Sequence, residues 1–359
     1  IVVVVAGTAL LLALVVRALH GSDRPDAGWA TTVALVLMLW PLSEVVIALM
    51  HRIVSESARV QPLPRLDFTG GIPAAHRVLV VVPAMLTSTR STVQLAHRLE
   101  LHWLANREEQ AQFALLTDWA DASQQSLPED AVLLDDALRR IAALNLRYPS
   151  LPGAAPRFVL LHRPRSWSET ERRWIGWERK RGKLEMLMRW LAVGDSSGFV
   201  PLASGLQLMS GIPYVVTLDS DTGLPSGGLR ELVSVAAHPL NAPQVDAATR
   251  RVVAGFGILQ PRIVTPFPER NERSAFHWLF AGQCGIDPYS SGASDIYQDL
   301  FGTGSFTGKG LLHVRALHDT LDRRLREDAV LSHDLLEGTV ARCAVVSDLV
   351  LIEDHPHHV

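Results

Sequence analysis

Two aspartates, Asp219 and Asp221, follow directly on the apolar segment 214–218, which is predicted to be a buried strand. Two carboxylates on the turn after a strand can hold one divalent cation and leave room for phosphate oxygens. Mg²⁺ and Mn²⁺ favour this oxygen-rich coordination. The structural alternative is that Asp221 or Thr222 caps a helix that starts near Pro225. The sequence therefore predicts a metal site at Asp219 and Asp221, with helix capping as the alternative.

A basic segment stands earlier in the chain, where Lys180, Arg181 and Lys183 surround Gly182. A glycine lets a ligand approach the backbone closely, and basic side chains bind phosphate. The segment leads straight into an amphipathic helix, and the start of a helix favours anions. We expect the segment to grip a diphosphate, while a solvated helix face is the alternative interpretation.

Four glycines stand within the segment 302–310. The segment is not a nucleotide-binding P-loop. Gly304 and Gly308 are one residue too close, and Lys309 is followed by Gly310 where a P-loop has Ser or Thr. Glycines allow a backbone to approach a sugar closely, so a loop of this kind can line a long substrate. Gly304, Ser305 and Gly308 are the candidate contacts, and a plain surface loop is the alternative.

One further acid, Asp334, stands beside His333 at the start of an apolar helical segment. A carboxylate placed there can take a proton from an attacking hydroxyl group and so act as a general base. The structural alternative is that Ser332 or Asp334 caps the helix. We therefore carry Asp334 forward as the candidate catalytic residue.

Strand-like and helical segments alternate from residue 77 onward. β-branched runs predict buried strands, and apolar residues at helical spacing predict helices. The predicted strands are 77–85, 113–117, 157–162, 214–218 and 345–352; the predicted helices are 92–106 and 131–146, with a helix or a loop and helix in 169–193. Repeated βα units imply an α/β fold with a mostly parallel sheet and helices on both faces. Ligands bind such sheets at the carboxyl ends of the strands, where Asp118 and Asp219 stand.

Apolar residues are concentrated at the N-terminus, although the mean hydropathy of the chain is only +0.15. About 20 apolar residues span a bilayer, so two transmembrane helices are predicted within residues 1–54, followed by a linker at 55–75. Basic residues after the second helix predict that the remaining domain, 76–359, is cytoplasmic. Glu44 lies within the second apolar run, and we expect it to face a protein partner or a polar cavity; a position near the membrane surface is the alternative.

The net charge and the cysteine content bear on nucleic-acid binding and on the redox compartment. Lys and Arg number 34 against 37 Asp and Glu, a formal net charge of −3, so the chain has no overall basic field to collect nucleic acid. Two cysteines, Cys284 and Cys343, provide no disulfide framework, which agrees with a reducing compartment. We expect both to be small buried residues.

Six segments, taken together and in order, resemble the glycosyltransferase region of the cyclic β-1,2-glucan synthases, glycosyltransferase family 84. They are LLTDWAD (115–121), WERKRGKL (177–184), TLDSDT (217–222), ILQPR (258–262), the segment 285–310 and LSHDLLEG (331–338). The resemblance runs from about residue 62 to the last residue. It implies a GT-A fold, that of nucleotide-diphosphosugar transferases, which is Rossmann-like and is shared with the processive synthases of cellulose and hyaluronan.

The resemblance implies how the donor, UDP-glucose, is bound. Asp118 matches the acid that in such synthases meets the uracil-ribose part of the donor. Lys180, Gly182 and Lys183 match a Lys-x-Gly-Asn segment that contacts the nucleotide. Lysine replaces asparagine at position 183, which is a departure from the family pattern.

The resemblance also implies the chemistry. Asp219 and Asp221 match the metal-binding pair that holds UDP, and Asp334 matches the general base, preceded by His333 where relatives carry glutamate. The segment 302–310 matches the acceptor-side loop. UDP-glucose is α-linked, so a β-1,2 product requires one inverting displacement, in which Asp334 would deprotonate the 2-hydroxyl of the growing glucan.

A larger protein in the bacterial inner membrane is a further implication of the resemblance. Relatives continue into a Gln-x-x-Arg-Trp element, further membrane helices and a phosphorylase-like domain. This sequence stops at Val359 without them. We therefore expect a multi-pass protein whose catalytic domain, 76–359, is C-terminally incomplete in this sequence.

Three alternatives stay open at this point. The segment 215–222 also fits the Asp-x-Asp signature of haloacid-dehalogenase-type phosphohydrolases, with Asp219 as nucleophile and Asp221 as acid and base. That motif normally ends the first strand of its domain, whereas here three predicted strands precede it. The other two are a membrane polysaccharide synthase of different linkage and a non-catalytic sensor of nucleotide sugars.

Overall fold

The structure is a computed structural model, and it describes residues 1–20, 29–57, 62–202, 207–264, 296–326 and 333–353. The chain divides into two compact units, Ile1–Val60 and Gln61–Val359. All of the candidate site residues belong to the second unit. Cys343 is buried, as predicted, whereas Cys284 lies outside the described residues.

The N-terminal unit consists of helices α1 (Val2–His20) and α2 (Trp29–Ser57). They pack closely at Gly7, where a Cβ atom would lie 2.9 Å from Cγ1 of Val46. Among the described residues, one segment is long and apolar enough to cross a membrane, Thr32–Val54 in α2, while the apolar part of α1 is shorter. Glu44 is exposed near the middle of that segment. The second of the two predicted spans thus meets the length criterion.

The second unit is built on strands and helices that alternate along much of the chain. Its strands are β1 (Val78–Leu86), β2 (Ala111–Trp119), β3 (Phe158–His162), β4 (Ser166–Ser168), β5 (Arg173–Ile175), β6 (Tyr214–Thr217), β7 (Thr222–Gly223), β8 (Gln244–Asp246), β9 (Arg251–Ala254), β10 (Ile258–Val264), β11 (Gly310–His313) and β12 (Cys343–Glu353). Its helices are α3 (Thr89–Ala105), α4 (Asp130–Arg147), α5 (Arg179–Val193), α6 (Gly228–Ala236), α7 (Ile296–Phe301), α8 (Val314–Leu321) and α9 (Asp334–Ala341).

Eight of these strands form one sheet in the order β3-β2-β1-β6-β11-β10-β12-β7. The half from β3 to β6 is entirely parallel, and β10 is parallel to β12. Antiparallel pairing enters where β11 lies between β6 and β10, and where β7 adds to β12. The prediction of an α/β fold with a mostly parallel sheet is therefore confirmed.

Both faces of this sheet are covered by helices. Along β1, Val78 and Val80 pack into the core beneath α3, α4 and α6, whereas Leu79 and Val81 pack against α5, α8 and α9. All four side chains are fully buried, and burial of one aliphatic side chain stabilises a fold by roughly 1.5–3 kcal/mol. The continuous β-branched sequence of β1 reflects this two-sided burial.

The segment 169–193 takes the second of its two predicted forms, a loop and a helix. A short hairpin of β4 and β5 precedes the helix, and α5 begins only at Arg179. Ala122 pairs with Trp174 and so attaches the hairpin to the chain that leaves β2. The basic residues therefore stand in the first turns of α5, close to the carboxyl end of β2.

Candidate active site

A cavity of about 870 Å³ opens at the carboxyl ends of β1 and β2, beside the start of α5. The parallel pairing of β1 with β2 and β6 brings these strand ends to one edge of the sheet. Four predicted site residues line the cavity: Asp118, Lys180, Lys183 and Asp221. Residues of α3 form the opposite wall, among them Ser91, Gln94 and Arg98. This is the position at which parallel α/β sheets bind ligands.

Asp118 is held by two cations at the end of β2. Its Oδ1 lies 2.8 Å from Nζ of Lys183, and its Oδ2 accepts a hydrogen bond of 2.9 Å from Nη2 of Arg163. Gly176 packs so closely that a Cβ there would overlap the carboxylate. Burial lowers the pKa of Lys183, although the charge of Asp118 opposes this effect. Asp118 therefore presents a neutralised, fixed carboxylate to the cavity wall.

The backbone that leads into α5 is strained. Glu178 and Arg179 both adopt left-handed conformations, with φ of 49° and 47°, which non-glycine residues rarely adopt. Gly182 is needed for packing, because a Cβ there would overlap the carbonyl oxygen of Trp177. Strain of this kind persists only where neighbouring groups enforce it, and it clusters at functional sites. Lys180 stands directly after the strained pair.

Asp219 and Asp221 meet a third carboxylate, Glu353, at the end of β12. One oxygen of each lies within 4.8 Å of the others. Asp219 contacts two ammonium groups: Lys180 at one oxygen and Lys309, at 3.2 Å, at the other. The predicted helix cap is absent here, since α6 begins at Gly228.

Lys309 links this acidic group to the glycine-rich loop. Its Nζ lies 2.5 Å from Oε1 of Glu353 as well as 3.2 Å from Asp219. Burial lowers the pKa of Lys309, but the contacts with Glu353 and Asp219 outweigh this effect and raise the pKa above its ordinary value. Lys309 thus stays charged and neutralises part of the acidic cluster.

The donor atoms of this cluster suit a hard divalent cation. Three carboxylates within reach of one point match the oxygen ligands that Mg²⁺ and Mn²⁺ prefer. The ammonium groups of Lys180 and Lys309 contact the same carboxylates, so a cation would compete with them for Asp219. The residues therefore fit the predicted metal, provided that at least one lysine gives way.

Asp334 lies in a second polar cluster at the first position of α9, where the helix dipole favours a negative charge. Nδ1 of His333 lies 3.4 Å from Oδ1 of Asp334 and 3.1 Å from Oε1 of Glu337. Burial lowers the pKa of His333, but the contact with Glu337 and the charges of both carboxylates raise it overall. The imidazole of His333 therefore lies between two carboxylates, those of Asp334 and Glu337.

The glycine-rich loop connects the two clusters. At Gly308 the loop backbone lies against the Asp334 carboxylate, while the next residue, Lys309, contacts Asp219. Gly304 packs instead on β12, where a Cβ would lie 2.7 Å from Cγ2 of Val345, and Ser305 is exposed. The loop therefore reaches the Asp219 and Asp334 clusters through two consecutive residues.

Several residues of the site were not foreseen. Four were missed: Arg163, Lys309, Glu337 and Glu353. Arg163 contacts Asp118 and Lys309 contacts Asp219. Glu337 contacts His333, the neighbour of Asp334, and one oxygen of Glu353 lies within 4.8 Å of oxygens of Asp219 and Asp221. Lys309 and Glu337 stand inside segments that the sequence analysis had singled out, so their spacing offered a signal. Arg163 and Glu353 offered none, because only the folded sheet brings them to Asp118 and Asp221.

Strand order bears on the phosphohydrolase alternative. The Asp-x-Asp turn follows β6, and β1, β2 and β3 all precede β6 in the chain. The signature of that enzyme class normally follows the first strand of its domain. The topology therefore agrees with the sequence argument against it.

Comparison with known proteins adds independent information. No protein-family profile matches the chain. The chain is 42% identical, over 346 residues, to the cyclic β-(1,2)-glucan synthase NdvB of Rhizobium meliloti (strain 1021). The match covers 96% of this chain but only 12% of that relative. The resemblance stated from the sequence is thus confirmed: the chain is homologous to a segment of the cyclic β-1,2-glucan synthases.

Proposed function

We propose that the chain is the glucosyl-transfer region of a cyclic β-1,2-glucan synthase and has a GT-A fold. It would transfer glucose from UDP-glucose to the 2-hydroxyl group of a growing β-1,2-glucan, with inversion at the anomeric carbon. The observation that carries the proposal is the cavity at the sheet edge, where Asp118, Lys180, Lys183 and Asp221 converge. The homology to a glucan synthase supports the choice of a sugar donor and a glucan acceptor.

The donor would lie in that cavity with its diphosphate beside the first turns of α5. Lys180 and Lys183 supply positive charge there, and the basic helix start is suited to phosphate oxygens. Asp118 orients Lys183 through their 2.8 Å ion pair. As the bond to UDP breaks, the ammonium groups would stabilise the negative charge that develops on the departing diphosphate.

A divalent cation, Mg²⁺ or Mn²⁺, is part of the proposal. Asp219 and Asp221 would hold it, with Glu353 as an additional ligand that the sequence did not suggest. When bound, such an ion supplies positive charge for the leaving UDP. Lys309 would then pair with Glu353 alone or move to the diphosphate.

Asp334 would act as the general base on the acceptor side. It is the first residue of α9, and its carboxylate would accept the proton of the attacking hydroxyl group. Gly308 brings the loop backbone against this carboxylate, so the loop 302–310 would place the acceptor. A single displacement requires no covalent bond between sugar and protein.

The cellular setting is also proposed. The segment Thr32–Val54 would anchor the protein in the bacterial inner membrane, with α1 as a second span and the catalytic unit in the cytoplasm. Because the chain spans only 12% of its curated relative, further membrane helices and a phosphorylase-like domain would belong to the complete protein.

The test separates donor binding from transfer. Asp334→Asn in the full-length protein is expected to bind UDP as the wild type does but to lose glucan synthesis from labelled UDP-glucose, by about 100-fold or more. Asp319→Asn, which alters a carboxylate paired with Arg315 on α8, is the matched control and should retain synthesis. Near-normal synthesis by Asp334→Asn would refute the role of Asp334 as general base. Linkage analysis of the wild-type product tests whether the 2-hydroxyl group accepts the glucose.

A further inference from the structure

Arg163 is a charged residue that the proposed chemistry does not use. It follows β3 directly, and its side chain is only 1% exposed, which makes it the largest fully buried side chain among the described residues. Burial of a guanidinium group is costly unless its N–H groups are paired. The contacts of Arg163 therefore need an explanation beyond general packing.

The guanidinium group of Arg163 donates to three oxygen acceptors, one on β2 and two in the turn before α5. Nη2 donates to Oδ2 of Asp118 at 2.9 Å and to the carbonyl oxygen of Arg179 at 3.1 Å. Nη1 donates to the carbonyl oxygen of Trp177 at 3.0 Å. A guanidinium fork has the planar geometry to hold several acceptors at once, which an ammonium group lacks.

Two of those acceptors enclose the strained backbone before α5. Trp177 and Arg179 flank Glu178, and the left-handed pair is Glu178 and Arg179. Left-handed conformations in successive non-glycine residues persist only where the surroundings impose them. The two hydrogen bonds from Arg163 hold this conformation, because they fix the carbonyl groups of the residues on both sides of Glu178.

The strained turn determines where the cavity lysines stand. Lys180 follows it directly, and Lys183 lies one turn further along α5 and reaches Asp118. Arg163 fixes both the turn and Asp118, yet it is absent from the cavity lining. It can therefore influence a ligand only through the residues that it holds.

We propose that Arg163 is a positioning residue that sets Lys180 and Lys183 for the diphosphate of the donor by clamping the left-handed turn at Glu178 and Arg179 to Asp118. The inference rests on the proposed function, since it takes the cavity ligand to be a nucleoside diphosphate. Removal of the fork would let the turn relax toward ordinary backbone angles and would move the first turn of α5 away from the diphosphate.

Arg165 provides a matched control. It is also buried, 2% exposed at its side chain, and it forms a bidentate ion pair with Asp130 at 2.5 and 3.1 Å. Its backbone acceptors are Ala120 and Gln125, and it has no contact with the turn before α5. Loss of the Arg165 guanidinium group should lower the stability of the protein to a comparable extent without moving Lys180 and Lys183.

The experiment compares Arg163→Lys with Arg165→Lys in the full-length protein. UDP affinity, the KM for UDP-glucose, kcat and the thermal midpoint are measured for both variants. Arg163→Lys keeps the charge beside Asp118 but cannot hold both carbonyl groups. We expect its UDP affinity to fall and its donor KM to rise about tenfold, with kcat nearly unchanged, while Arg165→Lys retains the wild-type KM.

A second substitution separates positioning from a general loss of packing. Glycine adopts positive φ without strain, so Glu178→Gly added to Arg163→Lys should restore a large part of the UDP affinity. If Arg163→Lys does not accumulate, Arg163→Gln, whose amide can donate to one carbonyl, replaces it in the same comparison.

Two results would overturn the positioning role. One is a UDP affinity of the Arg163 variant equal to that of Arg165→Lys; the other is no recovery on addition of Glu178→Gly. A wild-type protein that binds no UDP would instead refute the proposed function itself. The two failures are therefore distinguishable.

Discussion

Gly308 lies directly against the catalytic candidate Asp334: a Cβ atom at Gly308 would stand 3.1 Å from Oδ2 and 3.2 Å from Oδ1 of that carboxylate. Gly308 also has a φ of +89°, which an L-residue rarely adopts. The loop can therefore touch the carboxylate only because this position has no side chain. This relationship gives the glycine-rich segment a defined task within the proposed site.

The first prediction concerns that contact. Gly308→Ala should lower glucan synthesis by about 10–100-fold while UDP binding persists, because the added methyl group displaces the loop or the Asp334 carboxylate. Radiolabelled synthesis and UDP titration measure the two effects. Gly302→Ala is the control, since Gly302 also has positive φ, +70°, but its nearest neighbour is Nη2 of Arg342 at 3.9 Å. Equal losses in both variants would indicate backbone strain alone.

The second prediction concerns Lys309 as a competitor of the proposed metal. Lys309→Met removes the ammonium group between Asp219 and Glu353 and leaves their carboxylates to repel each other. The variant should be less stable than the wild type without metal, by roughly 1–2 kcal/mol. Mn²⁺ should then stabilise it more strongly than it stabilises the wild type. Thermal unfolding with and without Mn²⁺ measures this difference, and adding Asp219→Asn should abolish it.

The third prediction concerns acid sensitivity. Burial lowers the pKa of His162 to about 4, while its Nδ1 lies 2.8 Å from Oγ1 of Thr117. Between pH 6.5 and about 4 the unfolded chain therefore binds more protons than the native one. The free energy of unfolding should decrease by about 3 kcal/mol as the pH is lowered across this window. His102 has a pKa lowered to about 4 as well, so His162→Gln should remove about half of the combined sensitivity. Denaturant unfolding of both proteins from pH 4 to 7 measures the pH dependence of the free energy of unfolding. The same pH dependence in His162→Gln and the wild type would contradict the prediction.

The fourth prediction has the opposite sign. The pKa of His333 is raised above its ordinary value, because the contact with Glu337 and the charges of Glu337 and Asp334 outweigh burial. A raised pKa contributes stability that is fully present below the unfolded pKa of about 6.5 and is lost as pH rises through the folded pKa. The wild type should therefore gain less stability above pH 6.5 than His333→Gln does. The measurement is the free energy of unfolding of both proteins from pH 6 to 8. The same change with pH in the two proteins would contradict the prediction.

Local patterns in the sequence sufficed for much of the parallel half of the sheet. The apolar runs at β1, β2 and β6 mark strands buried on both faces, and an acid at the end of a strand marks the ligand edge. That reasoning placed Asp118 and Asp219 at the same edge, and the cavity beside them agrees with it.

Sequence patterns did not predict the strand pairing in the other half of the sheet, from β11 to β7. β11 is four residues long, and its pairing with β6 and β10 depends on contacts between residues far apart in the chain. Glu353 joins Asp221 only because β12 runs past the predicted end at 352 and reaches the Asp-x-Asp turn. Arg163 is similar, since its acceptors come from β2 and from the turn before α5.

The pairing of Gly310 with Thr217 connects the glycine-rich loop to the strand that leads into the Asp-x-Asp turn. β11 begins where the glycine-rich loop ends, and it is hydrogen-bonded to β6, two residues before Asp219. The elements proposed to bind the donor and the acceptor are thereby joined by the backbone hydrogen bonds between β11 and β6. A change in β11 length by a single residue would reverse the side-chain alternation and turn Lys309 away from Asp219. If the loop places the acceptor as proposed, substitutions between Gly302 and Gly308 would alter acceptor binding without shifting that register.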